Sequence, residues 1–289
     1  NQKLLNNIMT TLIKYFIDGI NPDFYDFRFK IPGYSVAGQS VSITGSSAVN
    51  TIWAAAGVDL DARNLMGGQD VVIFNKNWSD YTKDVVSVPG AIVFTYLDSQ
   101  TGLTEKVTVS NGVLSDGQDK LVFADGAVLT QHARQSLAVN LSASITSITG
   151  YDSKVNSLNP GALIPNPISS SVRVIASSDD NNGAIFAPAA AGIIFDVKGT
   201  DNVDKVYVSR GATVDARVLL KGQDIVYFTG TWADYSKSLI LANTILFSRI
   251  LENGLTETVL VSDGAILSGR DKLVFADGSA ITDKIKTAI

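Results

Sequence analysis

Aspartate supplies most of the side chains in this 289-residue chain that could do chemistry. Of its 28 acidic residues only Glu105, Glu252 and Glu257 are glutamate; there is a single histidine, His132, and no cysteine. Carboxylate oxygens gathered in turns favour a hard cation, because calcium takes carboxylate and carbonyl oxygens in a forgiving geometry. The turn Asp201-Asn202-Val203-Asp204 puts two carboxylates and an amide oxygen in one loop and is the leading candidate cation site. Asp179 and Asp180, followed by two asparagines, form a second acidic loop. Asp70 and Asp224, each directly before an apolar run, and Asp119 and Asp271, each opening a Lys-Leu-Val-Phe stretch, complete the candidate metal ligands. At every one of these places a plain turn role competes, since aspartate favours turns and hydrogen-bonds its own backbone.

Other chemistries find little to work with. Without cysteine there is no disulfide, thiolate metal site or thiol nucleophile. One histidine leaves no His-based metal site, and no Gly-x-Ser-x-Gly elbow accompanies it, so a serine triad is not indicated. Paired-carboxylate hydrolysis of a polysaccharide needs only two acids at the right separation, but the aspartates are too scattered to nominate a pair. Trp78 and Trp232 offer flat faces suited to stacking on a sugar ring, or equally to filling a core. The expectation is a protein that is not an enzyme.

The candidate residues belong to a repeat. The segment Gly45 to Thr130 reappears as Gly199 to Thr282. Shared features include Gly68-Gln69-Asp70 with Gly222-Gln223-Asp224, and Trp78-x-Asp80-Tyr81-x-Lys83 with Trp232-x-Asp234-Tyr235-x-Lys237. Gly102-Leu103-Thr104-Glu105 likewise matches Gly254-Leu255-Thr256-Glu257, and Asp119 to Gly126 matches Asp271 to Gly278. A repeat of this length indicates duplicated modules in preference to one large enzyme domain. The acid pair of the leading cation loop does not repeat: Ser47-Ala48-Val49-Asn50 stands where Asp201 to Asp204 stands in the second copy.

Elements that would position these residues can be read from periodicity. Leu5, Ile8, Met9, Leu12, Ile13 and Phe16 recur at three- and four-residue spacing, which predicts an N-terminal helix stopped by Gly19 and Asn21-Pro22. From Ile31 onward short apolar runs alternate with Ser, Thr and Gly, the pattern of strands. Strands are predicted at 70–74, 91–96, 105–110 and 120–123, with turn signals at Asn111-Gly112, Asp116-Gly117 and Asp125-Gly126. The stretch 131–148 reads as a short helix followed by a strand, and Pro160, Pro165 and Pro167 mark a linker. The predicted fold is mainly β: two tandem homologous antiparallel β-sandwich or β-roll-like domains with a short N-terminal α-helix. Residues 1–30 form the helix and linker, 31–165 the first β module with repeat copy 45–130, and 166–289 the second with repeat copy 199–282.

The net charge of −5 offers no long-range attraction for nucleic acid. No apolar run is long enough for a membrane-crossing helix and no secretion signal opens the sequence as given, so membrane insertion is not expected.

The closing Asp-Lys-Leu-Val-Phe-Ala-Asp-Gly of each copy, with the upstream Phe-x-x-x-Trp-x-Asp-Tyr, resembles the module that accompanies calcium-binding repeats in large secreted bacterial proteins of the RTX type, including repetitive adhesins and surface-layer proteins. The likeness covers 45–130 and 199–282. It implies an extracellular or bacterial cell-surface location, stabilisation by calcium, and service as a structural or adhesive part of a larger surface protein. Its partners would be a cell-surface or matrix component or copies of itself. The sequence departs from that group in lacking the Gly-Gly-x-Gly-x-Asp nonapeptide that builds a calcium-loaded β-roll, so the ligands do not carry over with the resemblance. A glycan- or peptide-binding module, a self-assembling surface-layer or filament subunit, and, last, a polysaccharide-active enzyme are the alternative readings.

Overall fold

A computed structural model describes residues 12–19, 27–30, 40–45, 50–54, 56–65, 70–110, 119–153, 172–178, 185–186, 194–219, 223–240, 243–262, 270–286 and 289. The first half contains β1 (Leu12–Gly19), β2 (Phe27–Lys30), β3 (Ser40–Thr44), β4 (Asn50–Trp53), β5 (Asp59–Asn64), β6 (Val71–Ile73), β7 (Thr82–Asp84), β8 (Ala91–Leu97), β9 (Thr104–Ser110), β10 (Lys120–Phe123), β11 (Gly126–Leu129) and α1 (Thr130–Val139). The second contains β12 (Val172–Ser178), β13 (Ile185–Phe186), β14 (Ile194–Lys198), β15 (Lys205–Tyr207), β16 (Thr213–Val218), β17 (Ile225–Tyr227), β18 (Ser236–Ile240), β19 (Thr244–Ile250), β20 (Thr256–Ser262), β21 (Lys272–Phe275), β22 (Gly278–Ile281) and α2 (Thr282–Lys286). The protein is mainly β.

Outside the β7-β8-β9 and β18-β19-β20 excursions and the closing hairpins, successive strands do not pair with one another. There the chain alternates between two sheets, so that a strand lies parallel to the next but one. Ser40 stands opposite Asp59 and Thr51 opposite Val71, steps of 19 and 20 residues. The second half repeats this with Ile194 opposite Thr213 and Lys205 opposite Ile225. The third step is longer, from Asp59 to Lys106 and from Val71 to Lys120, because it contains the antiparallel β7-β8-β9 excursion. This corrects the expectation of antiparallel sheets. Asp125-Gly126 does turn a hairpin, β10 to β11, as does Asp277-Gly278 between β21 and β22. Apart from these hairpins, the two excursions and the β1-β12 pair, the strands enter parallel ladders, which need a connection that crosses to the other sheet.

Coiling stacks like residues in register. Val41, Leu60 and Val107 form one internal column, and Ile52, Val72 and Leu121 face them from the other sheet. Phe195, Val214 and Val259, with Val206, Val226 and Leu273, do the same in the second half; all twelve are fully buried. Period-2 alternation sends these side chains inward and their Ser, Thr, Lys and Asp neighbours outward. A cluster of rings closes the core under each excursion: Phe74 stacks on Phe123 at 4.2 Å, and Phe228 on Phe275 at 4.3 Å. Ala133 and Leu137 of α1, and Ile285 of α2, cover the adjoining ends.

The halves meet in one 12-stranded sheet through β1, which pairs antiparallel with β12 and parallel with β3. Residues 12–19 are therefore strand, correcting the predicted N-terminal helix over that stretch; residues 1–11 lie outside those described. Spacings of three and four cannot separate helix from strand over so few residues. The β-branched and aromatic Ile13, Tyr15, Phe16 and Ile17 suit a strand, and here both backbone edges find partners. The segment 131–148 folds as α1 followed by a 3₁₀ turn at Ile145–Ser147 where a strand was predicted. The proline linker and its boundary near residue 165 lie outside the described residues. No helix among the described residues is long and apolar enough to cross a membrane.

Candidate functional site

Five of the candidate aspartates, with Asn50, stand at one level of the coil, each at or just before the start of a parallel strand. Asn50, Asp70 and Asp119 are neighbours across β4, β6 and β10; Asp204, Asp224 and Asp271 occupy the same places in the second half. All six are 0–2 % exposed. They are bonded like a ladder. Asp70 Oδ1 accepts the Asn50 backbone N–H at 2.6 Å and its Nδ2 at 3.0 Å, while Asp224 Oδ1 accepts the Asp204 N–H at 2.7 Å. The N–H groups of Asp70 and Asp224 in turn donate to the carboxyls of Asp119 and Asp271. Main-chain bonds cross the same level: Lys120 N–H donates to the Asp70 carbonyl and Lys272 N–H to that of Asp224, both at 2.7 Å.

One carboxylate oxygen of each of four of them, Asp70 Oδ2, Asp119 Oδ1, Asp224 Oδ2 and Asp271 Oδ1, is buried with no hydrogen-bond partner among the described residues. Burial pushes the Asp70 and Asp224 carboxyls up to about 6. Burial, with the neighbouring aspartate's charge, takes Asp119 and Asp271 up to about 7. The arrangement suits protons better than calcium. A calcium ion wants many oxygens converging on it, whereas here the oxygens are stacked along a column and backbone N–H groups already point at half of them. No group of three or more acidic or histidine side chains placed to hold a metal occurs among the described residues.

The leading cation loop is split by the fold. Asp204 is turned inward, with Oδ2 accepting Thr200 N–H at 2.6 Å and Oδ1 the Thr200 hydroxyl at 3.0 Å. Asp201 is exposed on the bend before β15. Asp179 and Asp180 lie outside the described residues.

Two glutamates that sequence pattern does not mark as site residues are buried as well. Glu105 is 1 % exposed and Glu257 fully buried. Tyr81 donates its hydroxyl to Glu105 Oε1 at 2.7 Å and Asn75 Nδ2 donates to Oε2 at 3.1 Å. Burial raises the Glu105 carboxyl, and burial together with the Glu105 charge raises the Tyr81 phenol. Around Glu257 are Tyr235, Thr229 and Arg249, whose guanidinium nitrogen stands 3.0 Å from Oε2. The available signal was compositional: two of only three glutamates occupy matching positions in the repeat.

The tryptophans sit differently in the two halves. Trp78 is 1 % exposed, edge-on to Phe94 and Phe123, with Lys83 Nζ 4.9 Å from the ring centroid. Its Nε1 donates to the Ala143 carbonyl at 2.8 Å. Beside it is a cleft of about 670 Å³ lined by Tyr81, Lys83, Asp125 and Tyr151 among others. Trp232 keeps the ring contacts and Lys237, at 4.3 Å, but is only half-buried. His132 lies half-buried on α1, its Nε2 3.3 Å from Gln131 Nε2.

Compared with protein-family models and with curated proteins, the chain matches none.

Proposed function

We propose that the chain is a non-enzymatic extracellular pair of β modules serving a structural or adhesive role in a larger bacterial surface protein. One observation carries this reading. The acidic side chains that the two repeat copies share and that lie buried, Asp70, Asp119 and Glu105 with Asp224, Asp271 and Glu257, are bonded into the strand framework. Residues retained in this way serve the coil; a hydrolytic pair would need to face a cleft and reach a substrate. The RTX-type resemblance supplies the extracellular setting and names calcium as the ion. On this reading calcium is held by exposed turn carboxylates such as Asp201, and the internal ladder takes no part.

Thermal melting with calcium and with a chelator tests the ion, because a ligand bound only by the folded state raises its stability. An unchanged Tm at millimolar calcium removes calcium from the proposal. Retention of chain-coated beads on bacterial surfaces, measured beside beads coated with an unrelated β protein, tests adhesion. Equal retention of the two removes that role, and turnover of any polysaccharide in a hydrolysis panel replaces the reading with an enzymatic one.

A further inference from the structure

Residues 141–152 form a strap over Trp78 and wall one side of the cleft of about 670 Å³ beside it. Ala143 presents its carbonyl to Trp78 Nε1, and Ile145 and Ile148 anchor the strap in the core. Tyr151 donates its hydroxyl to the Asp125 carbonyl at 2.8 Å, and Asp152 exchanges both backbone hydrogen bonds with Ala127 at 2.9 Å. The wall is thus fixed before anything enters, which spares a ligand the cost of ordering it. The volume falls in the range of about 300–1,000 Å³ usual for small-molecule sites.

Trp78 itself is buried and serves only as floor, with no open face for a sugar ring to stack on. The polar groups stand around it. Lys83 Nζ lies 4.9 Å from the ring centroid, and none of its three N–H donors is taken by a hydrogen bond or ion pair among the described residues. Burial lowers the Lys83 amine, while the charges of Asp125 and Asp80 pull the other way. Asp125 Oδ1 accepts the Trp78 N–H at 2.8 Å, and its Oδ2 has no hydrogen bond among the described residues. Ser144 Oγ and Thr146 Oγ1, 2.9 Å apart and exposed, add hydroxyls that can donate or accept. Exposed Leu141 and the half-buried Tyr151 ring supply apolar surface.

We propose that this cleft binds a neutral glycan segment. Lys83 Nζ donates to one sugar hydroxyl and Asp125 Oδ2 accepts from its neighbour. The Ser144 and Thr146 hydroxyls meet the sugar from the strap, and Leu141 and Tyr151 pack on its C–H surface. A free donor, a free acceptor and paired hydroxyls beside apolar groups match a molecule whose hydroxyls both donate and accept and whose ring carbons are apolar. Charge selects the neutral class: nearby carboxylates offset the one ammonium, so an anion gains little, and that ammonium opposes a cation. Asp125 is the only carboxylate among the described residues lining the cleft, so the second acid that glycoside hydrolysis uses is missing there. The inference is independent of the calcium and adhesion readings.

The test is an amide NMR titration of the intact chain with cellobiose, maltose, lactose and mannobiose. For at least one of them, saturable shifts confined to residues 78–83, 125 and 141–151 and a Kd at or below about 1 mM are expected. Lys83→Met keeps the stem over the ring and removes the donors; Asp125→Asn keeps the acceptor for Trp78 N–H and removes the second one. Each should weaken binding at least about tenfold, a loss of ~1.4 kcal/mol. Lys237→Met, which acts on the amine 4.3 Å from the Trp232 ring, should leave binding unchanged. No saturable shift with any of the four sugars, shifts lying elsewhere, or full affinity in either cleft variant would each overturn the proposal. Tighter binding of digalacturonate or of the glucosamine dimer would overturn it too, by giving the cleft to a charged sugar.

Discussion

The backbone N–H of Asp70 donates to the Asp119 carboxyl, and the Asp70 carbonyl accepts the N–H of Lys120 at 2.7 Å, which ties two carboxyl groups one strand apart on the dry side of the coil. Neither can ionise without opposing the other. In the second half Asp224 and Asp271 repeat the pair.

Stability should therefore fall as pH rises. The four carboxyls have folded pKa values of about 6 and about 7, above the value of about 3.9 for an unfolded aspartate. Between pH about 4 and about 7 the native state keeps protons that the unfolded chain has released, so their contribution is complete below that window and lost across it. Asp61 acts oppositely and only at the acid end: burial raises its carboxyl, but hydrogen bonds from Arg63 outweigh this and leave it lowered. The expected result is a Tm several degrees higher at pH 5 than at pH 8, read by circular dichroism. Asp119→Asn should gain about 1–2 kcal/mol at pH 8 and little at pH 4.5. Asn50, already an amide in this ladder, shows that the amide is accommodated. A Tm unchanged across that range would refute the assignment.

Arg249 compensates the buried Glu257 charge, with its own side chain 12 % exposed and that of Glu257 at 0 %. Arg249→Met should cost about 3 kcal/mol in urea denaturation at pH 8, since removing one partner leaves a buried charge uncompensated. Tyr96 holds the matching position in the first half, and Glu105 relies there on Tyr81 and Asn75. Tyr81→Phe is accordingly expected to lose about 1–2 kcal/mol.

The three tryptophans should separate in acrylamide quenching. Trp53 is 5 % and Trp78 1 % exposed, whereas Trp232 is half-buried. One accessible component is expected, and Trp232→Phe should abolish it. Trp78→Ala should cost about 3–5 kcal/mol and Trp232→Ala distinctly less. Equal quenching of Trp78 and Trp232 would contradict the strap that residues 141–152 lay over Trp78, whose Nε1 donates to the Ala143 carbonyl.

Gly126→Ala should loosen residues 143–152, because the new methyl would fall 2.3 Å from the Tyr151 ring. A loss of about 1–3 kcal/mol is expected, together with faster amide exchange across the strap and new quenching of Trp78. Gly278→Ala meets no atom within 4 Å, so only its backbone conformation (φ +158°) resists it, and it should cost less. The pair isolates the strap's contribution from that of the turn.

Much of the framework was legible in the residues. The predicted strands at 91–96, 105–110 and 120–123 lie within one residue of β8, β9 and β10, since apolar alternation and flanking turn residues are local signals. The Asp125-Gly126 hairpin was legible for the same reason. The strap over Trp78 was not: Ile145 and Ile148 carry no pattern that says which ring they will cover. Residue type marks Asp70 and Asp119 as candidate cation ligands, but nothing in either stretch says that they become neighbours.

Composition and repetition thus established a β-rich, cysteine-free chain whose two copies keep the same apolar, aromatic and acidic positions. Pairing direction and burial were settled by the folded chain. Period-2 alternation is identical for parallel and antiparallel strands, so the ladder that joins Thr51 to Val71 depends on where the chain goes in the intervening 19 residues. Burial of an aspartate likewise depends on the strand stacked above it, which is why Asp70 is dry and Asp201 is wet although both are aspartates that shortly precede a parallel strand.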